Sequence, residues 1–322
     1  MPSSVSLITG VAGFIGSHLA AALLRRGERV VGVDNFDPFY PRDLKERRLR
    51  EIARDGFHFV EADIRDRDAM FHLMATHRPR RLYHLAALAG VRPSIEQPHR
   101  YADVNVNGLV SVLDAARTAG CGAIVFASSS SVYGNNPKTP FAEDDPVDHP
   151  ISPYAATKKA GELLMHTYAH LFNLRAACLR FFTVYGPGQR PDLAIATFMR
   201  RMRKGQPITL FGDGSTSRDY TFIDDIIEGV LRAADRIEQP DCGNYRIWNL
   251  GGSAPITLAH LVAAIERVSG LRAVIERKPP QPGDVERTFA DLSRSRSELG
   301  FEPRTPLAEG LVRQWAWLLD SE

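Results

Sequence analysis

Residues 5–16, VSLITGVAGFIG, constrain this chain more than any other stretch. Val5, Leu7 and Ile8 read as a short buried strand. Gly10, Gly13 and Gly16 follow at G-x-x-G-x-x-G spacing. Residues 17–26 then read as a helix, with Ile15, Leu19, Ala22 and Leu23 giving an apolar stripe at helical spacing. Strand, glycine turn and helix in that order make a dinucleotide-binding element. Gly10 permits the tight turn, Gly13 leaves the backbone open to a pyrophosphate, and Gly16 lets the helix pack close to the strand. The helix N-terminus offers unpaired N–H groups and partial positive charge to the phosphates.

A glycine turn of this kind also occurs without a ligand, and Asp34 argues against that alternative. The apolar run 29–33 ends at Asp34, roughly 20 residues past the glycines, where an acid grips an adenosine ribose. A carboxylate there accepts from the ribose hydroxyls and repels a 2′-phosphate. The expected cofactor is therefore NAD rather than NADP.

From residue 5 to about 182, strand patterns (5–9, 29–33, 57–61, 81–84, 123–127, 175–181) alternate with helical ones (17–26, 43–54, 67–76, 101–119, 153–172). This alternation predicts an α/β, Rossmann-type, doubly wound parallel sheet. The charge-rich run 45–54 reads as a solvated helix face. Beyond 183, prolines and glycines break the chain into short pieces, which predicts a smaller mixed α/β domain over 183–322. Within it, 222–236 reads as a helix and 246–251 as a strand, and the segment near 222–251 is expected to return to the 1–182 domain. Leu258 to Ser269 is a further helix with Thr257 as its N-cap. The run KPPQPG at 278–283 reads as a loop, and 293–299 and 306–319 as the last helices.

Composition excludes several function classes. A hydrophobic content of 44% and a charged content of 24% describe a soluble globular chain. A formal charge of +2 gives no electrostatic case for nucleic acid. No apolar run approaches the roughly 18 residues of a membrane span. The first apolar run is the first strand, so no signal peptide is expected and a cytoplasmic location is. Cys121, Cys178 and Cys242 are scattered, and read as reduced packing residues. No Cys/His cluster has ligand spacing, so no metal is expected.

The chemistry concentrates in SPYAATK, residues 152–158. Tyr154 and Lys158 are four apart on a helix starting near Pro153, and share one face. A Lys beside a Tyr stabilises the phenolate and is expected to lower a pKa that starts near 10. Such a Tyr is a usable general base. Upstream, the strand 123–127 runs into SSSSVYG, residues 128–134, which puts a hydroxyl cluster where a doubly wound sheet binds ligand.

With these motifs together, the sequence resembles the extended short-chain dehydrogenase/reductases, and within them the nucleotide-sugar 4-epimerases. The resemblance runs through TGVAGFIGSHL (9–19), VDNF (33–36), ADIRD (62–66), HLAALAGV (84–91), NVNG (105–108), SSSSVYG, YAATK, RFFTVYGP (180–187), FGDGSTSRDYTFIDD (211–225) and PGDVERTFAD (282–291). It implies Ser129, Tyr154 and Lys158 as the catalytic triad. It implies that Gly10, Gly13, Phe14, Ile15, Gly16, Asp34, Asn35, Asp63, Ile64, Leu85, Ala86 and Ala87 hold a retained NAD together with Tyr154 and Lys158. Asp63 and Ile64 would contact the adenine. Arg218 and Arg287 would bind the diphosphate and Phe211 the uracil of a UDP-sugar. Asn107 reads either as part of this pattern or as a buried structural amide. The implied reaction oxidises C4, lets the 4-keto sugar turn over, and reduces it on its other face.

The serine cluster narrows the resemblance. The 4,6-dehydratases carry an Asp-Glu pair where this chain has Ser130 and Ser131, and UDP-glucuronate decarboxylases a Glu at the Ser131 position. The segment RFFTVYGPGQRPDLA (180–194) and AGVRPSIEQP (89–98) look like the UDP-glucuronate 4-epimerases. A C6 carboxylate buried in a site needs a cation or several donors, and Ser130, Thr183 and Arg190 could supply them. The alternative for Arg190 is a local pair with Asp192. The competing substrates are UDP-glucose and UDP-N-acetylglucosamine, and a homodimer through helices 101–119 and 153–172 is expected by the same resemblance.

Overall fold

The structure, a computed structural model, describes residues 4–279 and 285–321. Six strands follow one another through its first half: β1 (Val5–Thr9), β2 (Arg29–Asp34), β3 (Phe57–Glu61), β4 (Arg81–His84), β5 (Ala123–Ser129) and β6 (Arg175–Phe181). Then come β7 (Thr183–Tyr185), β8 (Ile208–Phe211), β9 (Ser217–Phe222), β10 (Tyr245–Leu250), β11 (Pro255–Thr257) and β12 (Ile275–Lys278). The central sheet has the order β10-β6-β5-β4-β1-β2-β3, and every pairing in it is parallel. The doubly wound parallel sheet read from the alternation is thus present. Tyr245–Leu250 adds its outer strand, 64 residues after the end of β6 is left at Phe181 and Tyr245 is reached.

A parallel sheet is covered on both faces, so its strands are apolar throughout. All seven residues of β5, AIVFASS, are buried. Consecutive residues serve opposite faces. Ile8 joins one core cluster with Leu19 and Leu23 of α1 (Phe14–Arg25). Leu7 joins the other, with Met70 and Met74 of α3 (Arg67–His77). Between those helices lies α2 (Arg42–Ile52).

The expected helix 101–119 is interrupted. After α4 (Val91–Glu96), α5 (Pro98–Ala102) runs into a π-helical turn over Asp103–Asn107 and then α6 (Gly108–Thr118). A wider turn rephases the side chains that follow it. Consequently Asn105, 4% exposed, faces the interior, whereas Asn107 is exposed and donates to Asp103. The buried-amide alternative therefore belongs to Asn105, not Asn107. The next helix, α7 (Pro153–Phe172), has the bounds read from sequence. Its Ser152 cap accepts from the Ala155 N–H at 3.1 Å, Pro153 occupies the first turn, and Asn173 closes it in the left-handed region at φ 59°.

The later chain builds on the C-terminal edge of the sheet. β7 and β9 pair in parallel and β11 joins β9 antiparallel, while β8 pairs with β12. Around them lie α8 (Ala194–Arg203), α9 (Ile223–Ile237), α10 (Leu258–Ser269), α11 (Ser293–Leu299) and α12 (Leu307–Ser321). Thr257 caps α10 through the His260 N–H as expected. The short strands β7, β8, β9, β11 and β12 lack a sequence period long enough to read, whereas α8 carries one, with Ile195, Phe198, Met199 and Met202 buried at helical spacing, that the flanking prolines hid. Of the loop read at 278–283 and the motif at 282–291, residues 280–284 lie outside the described residues.

The solvated face expected at 45–54 is a second correction. Lys45 and Arg48 are 5% and 6% exposed. Their partners are loop carbonyls and Tyr40 rather than water.

Candidate active site

β1 and β4 lie side by side with their onward connections leaving to opposite sides, and a crevice forms at their C-terminal ends. A cleft of about 390 Å³ opens there. Its cofactor side begins at the glycine turn. Gly10 sits at φ +76°, and a Cβ on it would lie 2.7 Å from the Ala86 backbone nitrogen. A Cβ on Gly16 would lie 2.2 Å from the Gly10 carbonyl oxygen, so Gly16 approaches the turn itself rather than the strand as expected. Gly13 starts α1 with no side-chain cap, and Phe14 and Ile15 line the cleft beside it. The first N–H groups of α1 are thereby left for a ligand.

Asp34 ends β2 with one oxygen accepting from Ala12 N–H at 3.1 Å and the other from Phe36 N–H at 2.9 Å. Burial pushes its pKa up. Lys45, not singled out from the sequence, lines the cleft near it and donates to the Asp37 carbonyl at 2.7 Å. Asn35 and Ile64 line the cleft, but Asp63 does not. Asp63 turns to Arg65 at 2.8 Å and accepts from Asn35 at 2.9 Å, and these bonds draw its pKa down to about 2.

Leu85, Ala86 and Ala87 form the floor. Asn105 fixes the chain just beyond them, accepting from the Leu88 N–H and donating to its carbonyl and to Thr157 of α7. One amide thus ties the floor to the helix that carries Tyr154. The only sequence signal for it was the NVNG motif, and the π-helical turn decides which Asn is meant. His84 lies beneath, its Nδ1 2.8 Å from Thr9 Oγ1, and burial pushes its pKa down to about 3, so the ring is neutral.

Ser129, Tyr154 and Lys158 meet on this cleft. The Ser129 hydroxyl accepts from the Ser131 N–H at 3.1 Å and donates to the Ser131 hydroxyl at 3.0 Å. Tyr154 packs edge-on against Tyr101, with ring centroids 6.3 Å apart. The Lys158 ammonium donates to the Ala127 carbonyl at 2.7 Å and lies 5.8 Å from the Tyr154 ring centre.

One sequence expectation reverses here. The Tyr154 pKa is raised, not lowered: burial dominates, and the Ser129 hydrogen bond and the Arg190 charge offset it only in part. Lys158 is itself buried, which pushes its pKa down to about 7. Its ammonium is directed at the Ala127 carbonyl rather than at the Tyr154 hydroxyl.

Ser130, Thr183 and Arg190 line the same cleft. Arg190 grips Asp192 with two bonds of 3.0 and 2.6 Å and stacks on Phe39 at 5.1 Å. The local pair with Asp192, the alternative read for Arg190, is therefore present, and the Arg190 charge also reaches Tyr154. Phe211, Arg218 and Arg287 do not line this cleft. The Arg92 guanidinium lies 4.6 Å over the Phe211 ring. Arg218 of β9 donates to the Ser217 and Glu286 carbonyls, and the Arg287 backbone bridges to Ser217, so Arg287 lies alongside the start of β9.

The site therefore pairs a dinucleotide cradle with a hydroxyl, a phenol and an ammonium at one end and a cation on the same cleft. These are the parts of a dinucleotide-dependent oxidation of a secondary alcohol. The chain belongs to the NAD dependent epimerase/dehydratase family, whose pattern matches residues 6–251. It is 43% identical to UDP-glucuronate 4-epimerase 3 of Arabidopsis thaliana, over 97% of this chain and 76% of that one. The structure of UDP-glucuronic acid 4-epimerase from Bacillus cereus, in complex with UDP-glucuronic acid and NAD, superimposes with a TM-score of 0.92 at 34% identity, covering 99% of this chain and 100% of that one. The UDP-glucose 4-epimerase of Thermotoga maritima, with UDP-glucose, gives 0.90 at 32% identity, over 98% and 99%. NAD is the cofactor, and the close approaches at Gly10 and Gly16 leave the turn shaped for its pyrophosphate.

Proposed function

We propose that this chain is an NAD-dependent 4-epimerase that converts UDP-glucuronate to UDP-galacturonate. The observation that carries the choice of sugar is Arg190, a largely buried cation that lines the same cleft as Tyr154, Thr183 and Ser130 and whose charge reaches Tyr154. A buried carboxylate on C6 needs such a partner.

Gly10, Gly13, Phe14, Ile15 and Gly16 cradle the cofactor's pyrophosphate, Asp34 and Asn35 its ribose, and Ile64 its adenine, while Asp63 holds the Asn35 amide in place. NAD, when bound, takes up and later returns the hydrogen and electron pair of C4. Tyr154 takes the C4 hydroxyl proton, and Ser129 turns its hydroxyl from Ser131 to the sugar oxygen. Lys158 holds the nicotinamide ribose, and the positive charge of an oxidised nicotinamide bound beside Tyr154 would lower its raised pKa. The 4-keto sugar stays tethered by its diphosphate, held by Arg218 and Arg287 with Phe211 at the uracil, and rotates before the proton and hydrogen return. A 4-keto uronate is a β-keto acid. It loses carbon dioxide only when the bond from C5 to the carboxylate aligns with the carbonyl π system, and Arg190 and Thr183 hold it out of that alignment.

The chain is read as two domains, 1–182 for NAD and 183–322 for the nucleotide sugar, with 222–251 returning to the first. It is also read as a cytoplasmic homodimer. Supporting the dimer, Leu163, Leu171 and Phe172 of α7 are 56%, 62% and 42% exposed. Among the described residues no helix is long and apolar enough to cross a membrane, and no cluster could hold a metal.

A proton NMR time course with UDP-glucuronate and no added reductant tests the reading. The galacturonate anomeric signal is the expected result. Turnover of UDP-glucose or UDP-N-acetylglucosamine alone, or a pentose product, would overturn it. Arg190→His should cut activity on UDP-glucuronate far more than on UDP-glucose.

A further inference from the structure

Arg48 lies on α2, a helix whose charges the sequence assigns to solvent, yet its guanidinium is spent on three oxygens inside the protein. One nitrogen donates to the Ala12 carbonyl at 3.2 Å and to the Tyr40 hydroxyl at 2.9 Å. The other donates to the Gly188 carbonyl at 2.6 Å. Ala12 belongs to the glycine turn, and its N–H is held by Asp34. The Ala12 peptide is therefore fixed at both ends, by Asp34 and by Arg48.

Gly188 precedes Arg190 by two residues. The loop between them is tied on its other side to the later part of the chain, since Gln189 donates to the Val184 carbonyl and accepts from Ala196 N–H and Gln314. His18 of α1 adds a second tie to the same loop, its Nε2 3.0 Å from the Pro187 carbonyl. These two side chains join the cofactor turn to the loop that presents Arg190.

We infer that Arg48 is a positioning residue that sets Arg190 against the cofactor turn, and so fixes the orientation of the sugar's C6 group relative to C4. This rests on the reading that Arg190 receives a C6 carboxylate. A buried guanidinium suits the task because its planar fork reaches several acceptors in fixed directions, whereas an ammonium at the same place cannot span Ala12 and Gly188 together.

The test uses the purified protein with bound NAD and compares Arg48→Gln and Arg48→Lys with the parent. Values of kcat/KM for UDP-glucuronate and UDP-glucose, the pentose fraction by NMR, and bound NAD are read together. A misplacement near 1 Å can cost about a hundredfold. Arg48→Gln should lower kcat/KM on UDP-glucuronate by at least about tenfold relative to UDP-glucose. It should raise the pentose fraction, and Arg48→Lys should recover part of both effects. An equal loss on both sugars, or a loss that follows bound NAD alone, would show that Arg48 merely holds the turn and overturn the inference. His18→Phe keeps the ring packing against Phe14 and removes only the Pro187 bond, so it must shift the same ratio in the same direction even if Arg48→Gln fails to fold. Arg190→His separates the two ideas. If it is selective and the Arg48 and His18 variants are not, only this inference falls. If it is not selective, the reading of Arg190 falls and takes this inference with it.

Discussion

Behind the serine cluster, Glu162 of α7 and Arg180 of β6 form an ion pair in which each side chain is 1% exposed. The pair is bidentate, at 2.8 and 2.9 Å. Ser128 donates to the same carboxylate at 2.6 Å, and Arg180 also donates to the Glu143 carbonyl at 3.2 Å. Removing one partner strands a buried charge, which costs about 3–5 kcal/mol. Arg180→Met leaves Glu162 with the Ser128 hydroxyl, and Glu162→Leu leaves Arg180 with the Glu143 carbonyl and Tyr133 but no counter-charge, so each single variant should lose about that much. The double variant strands no charge. What remains is an unpaired Ser128 hydroxyl and an unpaired Glu143 carbonyl, about 1–3 kcal/mol each at most. The double variant should therefore lose clearly less than the two single variants together, with a coupling of about 2 kcal/mol or more at mid-range. Urea unfolding at a fixed NAD concentration measures all four proteins, and turnover should fall and recover in the same order, because Ser128 precedes Ser129. Costs that add to within about 0.5 kcal/mol would refute the reasoning, since they would mean that the two charges do not depend on each other.

Three further outcomes follow from distances and charges already given. Gly16→Ala places a Cβ 2.2 Å from the Gly10 carbonyl oxygen, so the turn must open and the purified protein should carry little NAD, as read by absorbance after denaturation; wild-type retention would contradict this. Tyr154→Phe should keep NAD but lose turnover by about 10²–10⁴, the usual share of a general base, and intact turnover would remove Tyr154 from the mechanism. Lys158 has a folded pKa near 7 and an unfolded value of 10.5, so between these the unfolded chain binds the extra proton and stability rises with pH. In protein freed of NAD, the stability of the parent relative to Lys158→Met should therefore increase from pH 7 to pH 10 and stay level below 7, whereas a difference independent of pH would exclude the shift.

Local patterns carried much of this protein on their own. The glycine spacing, the alternation of strand and helix, the Thr257 cap and the four-residue offset of Tyr154 and Lys158 each depend on neighbours within a turn or two. That is why α7 and α10 have the bounds read from sequence and why the dinucleotide cradle was legible. The short strands of the later chain were not, because three to six residues hold too little periodicity to separate strand from loop.

What the tertiary structure alone decided concerns charge and phase. A π-helical turn chose Asn105 over Asn107 to brace the floor of the site. Burial raised the Tyr154 pKa where adjacency to Lys158 suggested the reverse, and left Phe211, Arg218 and Arg287 off the main cleft. Arg48 looked like a solvent-facing charge until Gly188, 140 residues away, supplied its acceptor. The physical reason is common to all of them: a helical period fixes which residues share a face, but the cost of burying a polar group, and its pKa, depend on partners that only the folded chain brings within hydrogen-bonding distance.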